Sequence, residues 1–402
     1  MTQSLTISET YEGSADAVSE PRHSIGSRLQ HCYPKQLNTN SELPVPLEIA
    51  SSETVTMSGD LVLITGVTGH LGFRTLILAL QAGYRVRAAV RSQSKANTIL
   101  SNPVFKALNC SSQLSFIIVP DLTVAGAYDE AVKAVNHVIH IASPITNGQT
   151  TPEEFQERLI TPAVKGTIGM LESALKTDTV SRIVITSSVV AQVPVPDFME
   201  RPDYVIEAST RTATPAGPFT NEFEAYAASK VTALNETEKW MAIQQPRFNV
   251  VHIHPSFVIG RDDLVTKSQN VMTGTNAVPL RVVLGNDAPH PTPGLSVHND
   301  DVARVHVLAL DSTVQGNESF IVSYNPEGSF DGTTWQDATD IVAREFPEAV
   351  AKGPLPNNGK IQSIPLRCDI RKTEKTFGFK HQSYAEQVKS VVRHYLELLA
   401  QE

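Results

Sequence analysis

Leu61-Val62-Leu63-Ile64-Thr65-Gly66-Val67-Thr68-Gly69-His70-Leu71-Gly72 is the stretch on which the fold turns. Its apolar start reads as a short strand buried on both faces. Gly66 allows a tight turn, Gly69 lets backbone approach a pyrophosphate, and Gly72 lets the next helix pack closely on the strand. A helix then runs over Phe73 to Leu80 and stops at Gly83. Free N–H groups and the positive dipole end at its start make an anion site. Spaced glycines are common in turns, so the weight lies in their placement between a strand and a helix. Gly66, Thr68, Gly69, His70, Leu71 and Gly72 are the candidate binding residues of this turn.

Outward from it, strands and helices alternate. Short Val/Ile-rich runs predict strands at Arg85 to Val90, Leu114 to Val119, His137 to Ile141, Arg182 to Ser187 and Asn249 to His254. Helices are expected near Lys95 to Leu100 and over 125–134, 152–175 and 222–244. This order implies an α/β protein with a doubly wound parallel sheet, a Rossmann arrangement. Past residue 260, Pro279, Pro289, Pro291 and Pro293 make irregular connections, with helices at about 300–311, 334–346 and 384–400. The expected division is a binding domain over 58–260, with a smaller C-terminal substrate lobe over 261–402. Residues 1–57, rich in Ser, Thr, Glu and Pro without apolar period, read as a disordered extension.

The bulk numbers of the 402 residues exclude several classes. A net charge of -9 argues against nucleic-acid and anionic-membrane partners. The three cysteines, Cys32, Cys110 and Cys368, lack metal-ligand spacing or a disulfide framework, so a metal site is not expected. No apolar run approaches the roughly 20 residues that span a bilayer. With acidic residues and no apolar core at the N-terminus, the expected setting is cytoplasmic.

Arg91 ends the second strand, 25 residues beyond Gly66, and Lys95 follows it. An acid there suits a ribose 2′-hydroxyl, whereas a base accepts a 2′-phosphate. Most such residues are plain surface charges, but no acid stands between Ala88 and Ala96, which favours NADP(H).

Tyr226-Ala227-Ala228-Ser229-Lys230 carries the chemistry. Positions i and i+4 share a helix face, so phenol and ammonium can meet in one cleft. A free phenol has a pKa of about 10, and a nearby Lys⁺ is expected to lower it towards working range. Ser187 and Ser188 stand at the carboxyl end of a core strand, where a hydroxyl can hold a substrate carbonyl; Ser188 is preferred, although either can be a strand-end cap.

Together these stretches resemble the extended short-chain dehydrogenases/reductases, within them the dihydroflavonol-reductase-like group that includes fungal aldehyde and ketone reductases. The similarity runs from residue 60 to the C-terminus. It includes the glycine turn, Asp121-Leu122, His140-Ile141-Ala142-Ser143-Pro144, Pro162 to Thr167, His254-Pro255-Ser256 and Val297 to Ala303. The resemblance implies that Asp121 and Leu122 lie near adenine, that Ala142 and Ser143 line the cofactor, and that Pro255 touches the nicotinamide end. It implies that Lys230 also binds the nicotinamide ribose, and that His298 and Asp301 are structural. Two positions depart from the pattern. Pro162-Ala163-Val164 stands where many relatives carry a relay Asn, so water must fill that role. Val193, five residues past Ser188, replaces a polar Asn of the plant enzymes and implies a less polar substrate wall.

The reading is NADPH-dependent reduction of an aldehyde or ketone by a monomer or homodimer, on a small carbonyl or alcohol substrate. A redox-neutral epimerase or dehydratase uses the same site. A non-enzymatic NADP-sensing regulator typically loses the Tyr or Lys, both of which are kept here.

Overall fold

The computed structural model describes residues 59–146, 148–193 and 203–402. What was expected of residues 1–57 lies outside the described residues. Seven strands form one parallel sheet: β1 (Leu61–Thr65), β2 (Arg85–Val90), β3 (Leu114–Ile118), β4 (His137–His140), β5 (Arg182–Thr186), β6 (Asn249–Pro255) and β7 (Glu318–Val322). Their order is β7-β6-β5-β4-β1-β2-β3, every neighbouring pair being parallel.

Strand alternation decides the layers. Along β1, Val62 and Ile64 enter one apolar cluster and Leu63 the other. Helices α1 (His70–Gln81) and α4 (Asn299–Leu308) cover the first face through Phe73, Leu76, Val302 and Val305. Helix α2 (Thr161–Leu175) covers the second through Met170, Leu171 and Ala174. Burying a Leu or Ile fully on such a sheet contributes about 1.5–3 kcal/mol. A separate cluster around Ile259, Leu280, Trp335, Tyr384 and Val391 builds the C-terminal part. Among the described residues no helix is long and apolar enough to cross a membrane.

Three features differ from the sequence reading. Residues 125–134 form successive turns rather than a helix. Gly126 at φ +73° and Ala134 at φ 59° are left-handed, which a right-handed helix does not admit. The expected helix over 152–175 begins as a 3₁₀ turn and a π turn over Gln156–Ile160. Pro162, in the next turn, lacks the N–H that an ordinary helix needs there. Strand β7 was not foreseen, so the sheet draws on both sides of residue 260. Arg182 secures that late strand, since its guanidinium donates to the carbonyls of Ala309 at 2.9 Å and Val314 at 2.6 Å.

The chain steps outward through β1, β2 and β3, then returns to place β4 on the other side of β1. This reversal opens a crevice beyond the carboxyl ends of β1 and β4, the general ligand position of such sheets.

Candidate functional site

Backbone contacts form the crevice floor. Gly66 has φ +76°, and a Cβ there would stand 2.9 Å from the Ala142 nitrogen. A Cβ on Gly72 would stand 2.0 Å from the Gly66 carbonyl oxygen. Both positions therefore need glycine for the fold itself. Gly69 is different: its φ is -112°, open to any residue, and its nearest obstacle is 3.5 Å away. The start of α1 has no side-chain cap and no acidic residue in its first turn. Thr68 and Leu71 are half-buried around this turn. His70 Nε2 lies 3.1 Å from the Arg261 carbonyl, which engages that side of its ring.

At the end of β2, Arg91 and Lys95 are exposed. The Asp121 carboxylate accepts from the hydroxyl and the N–H of Thr123 at 2.7 and 2.8 Å. Those bonds lower its pKa, and the charges of Arg91 and Lys165 lower it further. Leu122 packs on α2, where a Cβ on Gly166 would meet it at 2.2 Å.

The reactive groups gather at the carboxyl ends of β4 and β5. Helix α3 (Glu222–Gln244) begins at Asn221, whose side chain accepts from the Glu224 N–H at 3.0 Å. Glu222 accepts from the N–H groups of Gly148 and Thr150, both at 2.8 Å, and so fastens the loop after β4 to the helix. One turn into α3, Tyr226 stands beside Ser188, whose side chain lowers the pKa of the phenol. The backbone N–H of Ser187 donates to the Ile253 carbonyl at 2.7 Å. His254 Nδ1 lies 3.2 Å from the Ser188 carbonyl and helps hold that turn. Lys230, 7% exposed, donates from Nζ to Ser143 Oγ at 2.9 Å and sits 5.5 Å from the Tyr226 ring centre. Pro255 is buried at the end of β6, and Ala142 and Ser143 are half-buried beside the glycine turn.

The electrostatics correct one expectation. Burial raises the Tyr226 pKa, and the Ser188 side chain only opposes this. Burial also pushes the Lys230 ammonium down to about 8. Desolvation thus outweighs the expected lowering of the phenol by Lys230. Val193 differs too. It is 6% exposed and belongs to the apolar cluster with Ile206, Leu295 and Ile370, so it is core rather than open wall. The reading also passed over His140 and Thr65. A histidine closing the apolar run before Ala142 was the available signal.

The sequence profile of the NAD dependent epimerase/dehydratase family matches residues 62–323. Ketoreductase CTB6 of Cercospora beticola is 43% identical over 348 residues, covering 85% of this chain and 96% of that protein. The NAD-dependent epimerase/dehydratase ALT6 of Alternaria alternata is 37% identical over 363 residues, covering 82% and 96%. Among solved structures, yeast methylglyoxal/isovaleraldehyde reductase Gre2 complexed with NADPH shares the fold, with a TM-score of 0.70 at 22% identity, covering 85% of this chain and 100% of that one.

Proposed function

This chain belongs to the NAD dependent epimerase/dehydratase family, and within it we propose that it reduces an aldehyde or ketone of a small organic substrate with NADPH. The observation that carries the reading is the meeting of Ser188 and Tyr226 beyond the carboxyl end of β5, with Lys230 one helical turn away and within 5.5 Å of the Tyr226 ring centre. The crevice residues fit a dinucleotide. The uncapped start of α1 offers N–H groups to a diphosphate, Gly69 leaves the approach open, and Arg91 suits a 2′-phosphate. Asp121, Leu122, Ala142, Ser143 and Pro255 would line the remainder. Bound there, NADPH supplies the hydride.

The chain's own groups handle the oxygen and the proton. Ser188 donates a hydrogen bond to the substrate carbonyl. Tyr226, with its pKa raised by burial, keeps its proton at neutral pH. As the carbonyl oxygen gains an electron pair it becomes the stronger base, and Tyr226 releases the proton to it. The Lys230 ammonium beside the ring then favours the phenolate left behind. The C-terminal part, built on the buried cluster around Trp335 and Tyr384, would supply the substrate side. The names of CTB6 and Gre2 support reduction, whereas that of ALT6 keeps a redox-neutral reaction in view.

A carbonyl panel with C4-deuterated NADPH tests the reading. Deuterium should appear at the product carbinol carbon in an amount equal to the NADP⁺ formed. Conversion without lasting NADP⁺ would favour the epimerase or dehydratase, and cofactor binding without turnover across the panel would favour the sensor.

A further inference from the structure

We propose that the small pocket behind Lys230 is a one-water site, and that His140 is a positioning residue acting on Lys230 through that water. The pocket has a volume of about 20 Å³ and is lined in part by His140, Thr167, Thr186, Ser187, Lys230 and His252. That volume holds one water, provided it finds two to four polar partners.

Hydrogen bonds around the pocket fix which partners donate. Thr65 Oγ1 accepts from the N–H groups of Ile141 at 3.1 Å and Ala142 at 3.0 Å. These occupy its two lone pairs, so its own proton points to His140 Nδ1, 3.0 Å away. Burial keeps His140 neutral, its pKa pushed down to about 4. A neutral imidazole that accepts at Nδ1 carries its proton on Nε2. His140 Nε2 is buried without a hydrogen-bond partner among the described residues, so it brings an unanswered N–H to the pocket. Such a group costs about 1–3 kcal/mol if left alone.

The acceptors follow by the same argument. His306 Nδ1 is 2.8 Å from the Val302 carbonyl, which can only accept, so Nδ1 carries the proton. Its Nε2 then accepts from the Thr186 hydroxyl at 2.7 Å, leaving the Thr186 oxygen able to accept. Thr167 donates to the Ala163 carbonyl at 2.9 Å and is left in the same state. His252 Nε2, buried and without a partner, is a further polar atom of the wall. Two donors, His140 N–H and the Lys230 ammonium, thus share a pocket with two hydroxyl acceptors, Thr167 and Thr186. A water accepts twice and donates twice, which is the complement of this wall. The titratable groups around Lys230 are Tyr226 on its own helix and His140 and His252 on the strands.

The consequence for catalysis rests on the role of Lys230 proposed above, but the water and the tautomer are tested without turnover. In long-range ¹H–¹⁵N spectra of the whole chain, His140 should be the Nε2–H tautomer. A high-resolution crystal structure should show one water within hydrogen-bond distance of both Lys230 Nζ and His140 Nε2. The Nδ1–H tautomer or a dry pocket overturns the proposal. For function, His140→Leu removes the donor, whereas His140→Gln can restore one. Thr167→Val removes an acceptor at matched volume. With the water gone, the ammonium loses an acceptor, so the alkaline limb of the kcat profile should move to lower pH. kcat should fall roughly tenfold, the scale of one lost hydrogen bond, with NADPH affinity within about twofold and partial rescue by Gln. Unchanged profiles in the Leu and Val variants would refute the positioning role. No turnover by the wild type, with the tautomer and water in place, would instead count against the reductase reading and leave the water site supported.

Discussion

Lys230 Nζ donates to Ser143 Oγ at 2.9 Å, tying the middle of α3 to the loop that leaves β4. The bond satisfies one proton of a buried ammonium whose pKa burial has lowered from 10.5 to about 8. A lysine with a lower pKa in the folded state binds fewer protons folded than unfolded. It therefore opposes folding below about pH 8, and this penalty fades as pH rises from about 8 to 10.5. The gap corresponds to roughly 3 kcal/mol at full extent. Lys230→Met in the cofactor-free protein should be more stable than wild type at pH 7 and lose that advantage between pH 8 and 10.5. Urea unfolding across this range measures it, and a constant difference would mean that the ammonium is not desolvated.

Tyr226→Phe should abolish turnover while leaving NADPH affinity within a few-fold. The substitution keeps the ring beside Lys230 and removes the hydroxyl that meets Ser188. General acid catalysis contributes about 10²–10⁴-fold, and the loss in kcat should reach the upper end. Titration of NADPH fluorescence separates binding from chemistry. A variant within a few-fold of wild-type kcat would remove Tyr226 from the mechanism.

Arg91→Asp should weaken NADPH binding and narrow or reverse the preference over NADH. The side chain is exposed at the end of β2, so the change leaves the core alone. A charge-assisted hydrogen bond contributes roughly 1.5–3 kcal/mol, about ten- to over a hundred-fold in affinity. Equal wild-type dissociation constants for the two cofactors would show that Arg91 does not read the 2′-phosphate.

Much of this arrangement was legible because it is local. Strand β1, the glycine turn and α1 are adjacent in sequence, and the five-residue segment from Tyr226 to Lys230 sets its own spacing on a helix. Strand β7 was less legible, because five residues near irregular chain carry little periodicity and their partner β6 lies over 60 residues back. The state of Tyr226 was misjudged for a related reason. Spacing brings Lys230 to the phenol, but burial, which raises one pKa and lowers the other, arises only when distant strands close over both. His140 and Thr65 went unused because their bond joins residues 75 positions apart.

Two glycines of the turn should separate folding from binding. At Gly72 an added Cβ would stand 2.0 Å from the Gly66 carbonyl oxygen and 3.0 Å from the Val67 nitrogen, both backbone atoms with little room to yield. Gly72→Ala is therefore expected to lower the melting temperature, with a loss of about 1–3 kcal/mol typical of overpacking. At Gly69 the backbone is extended at φ -112° and ψ 168°, and nothing stands within 3.5 Å of the new Cβ. Gly69→Ala should fold as wild type. Its methyl would nevertheless stand where a diphosphate approaches the start of α1, so NADPH affinity should fall by tenfold or more, about 1.4 kcal/mol. Calorimetric melting of both cofactor-free variants, followed by NADPH titration, distinguishes the two effects. If Gly69→Ala binds NADPH like wild type, the diphosphate does not lie against this turn.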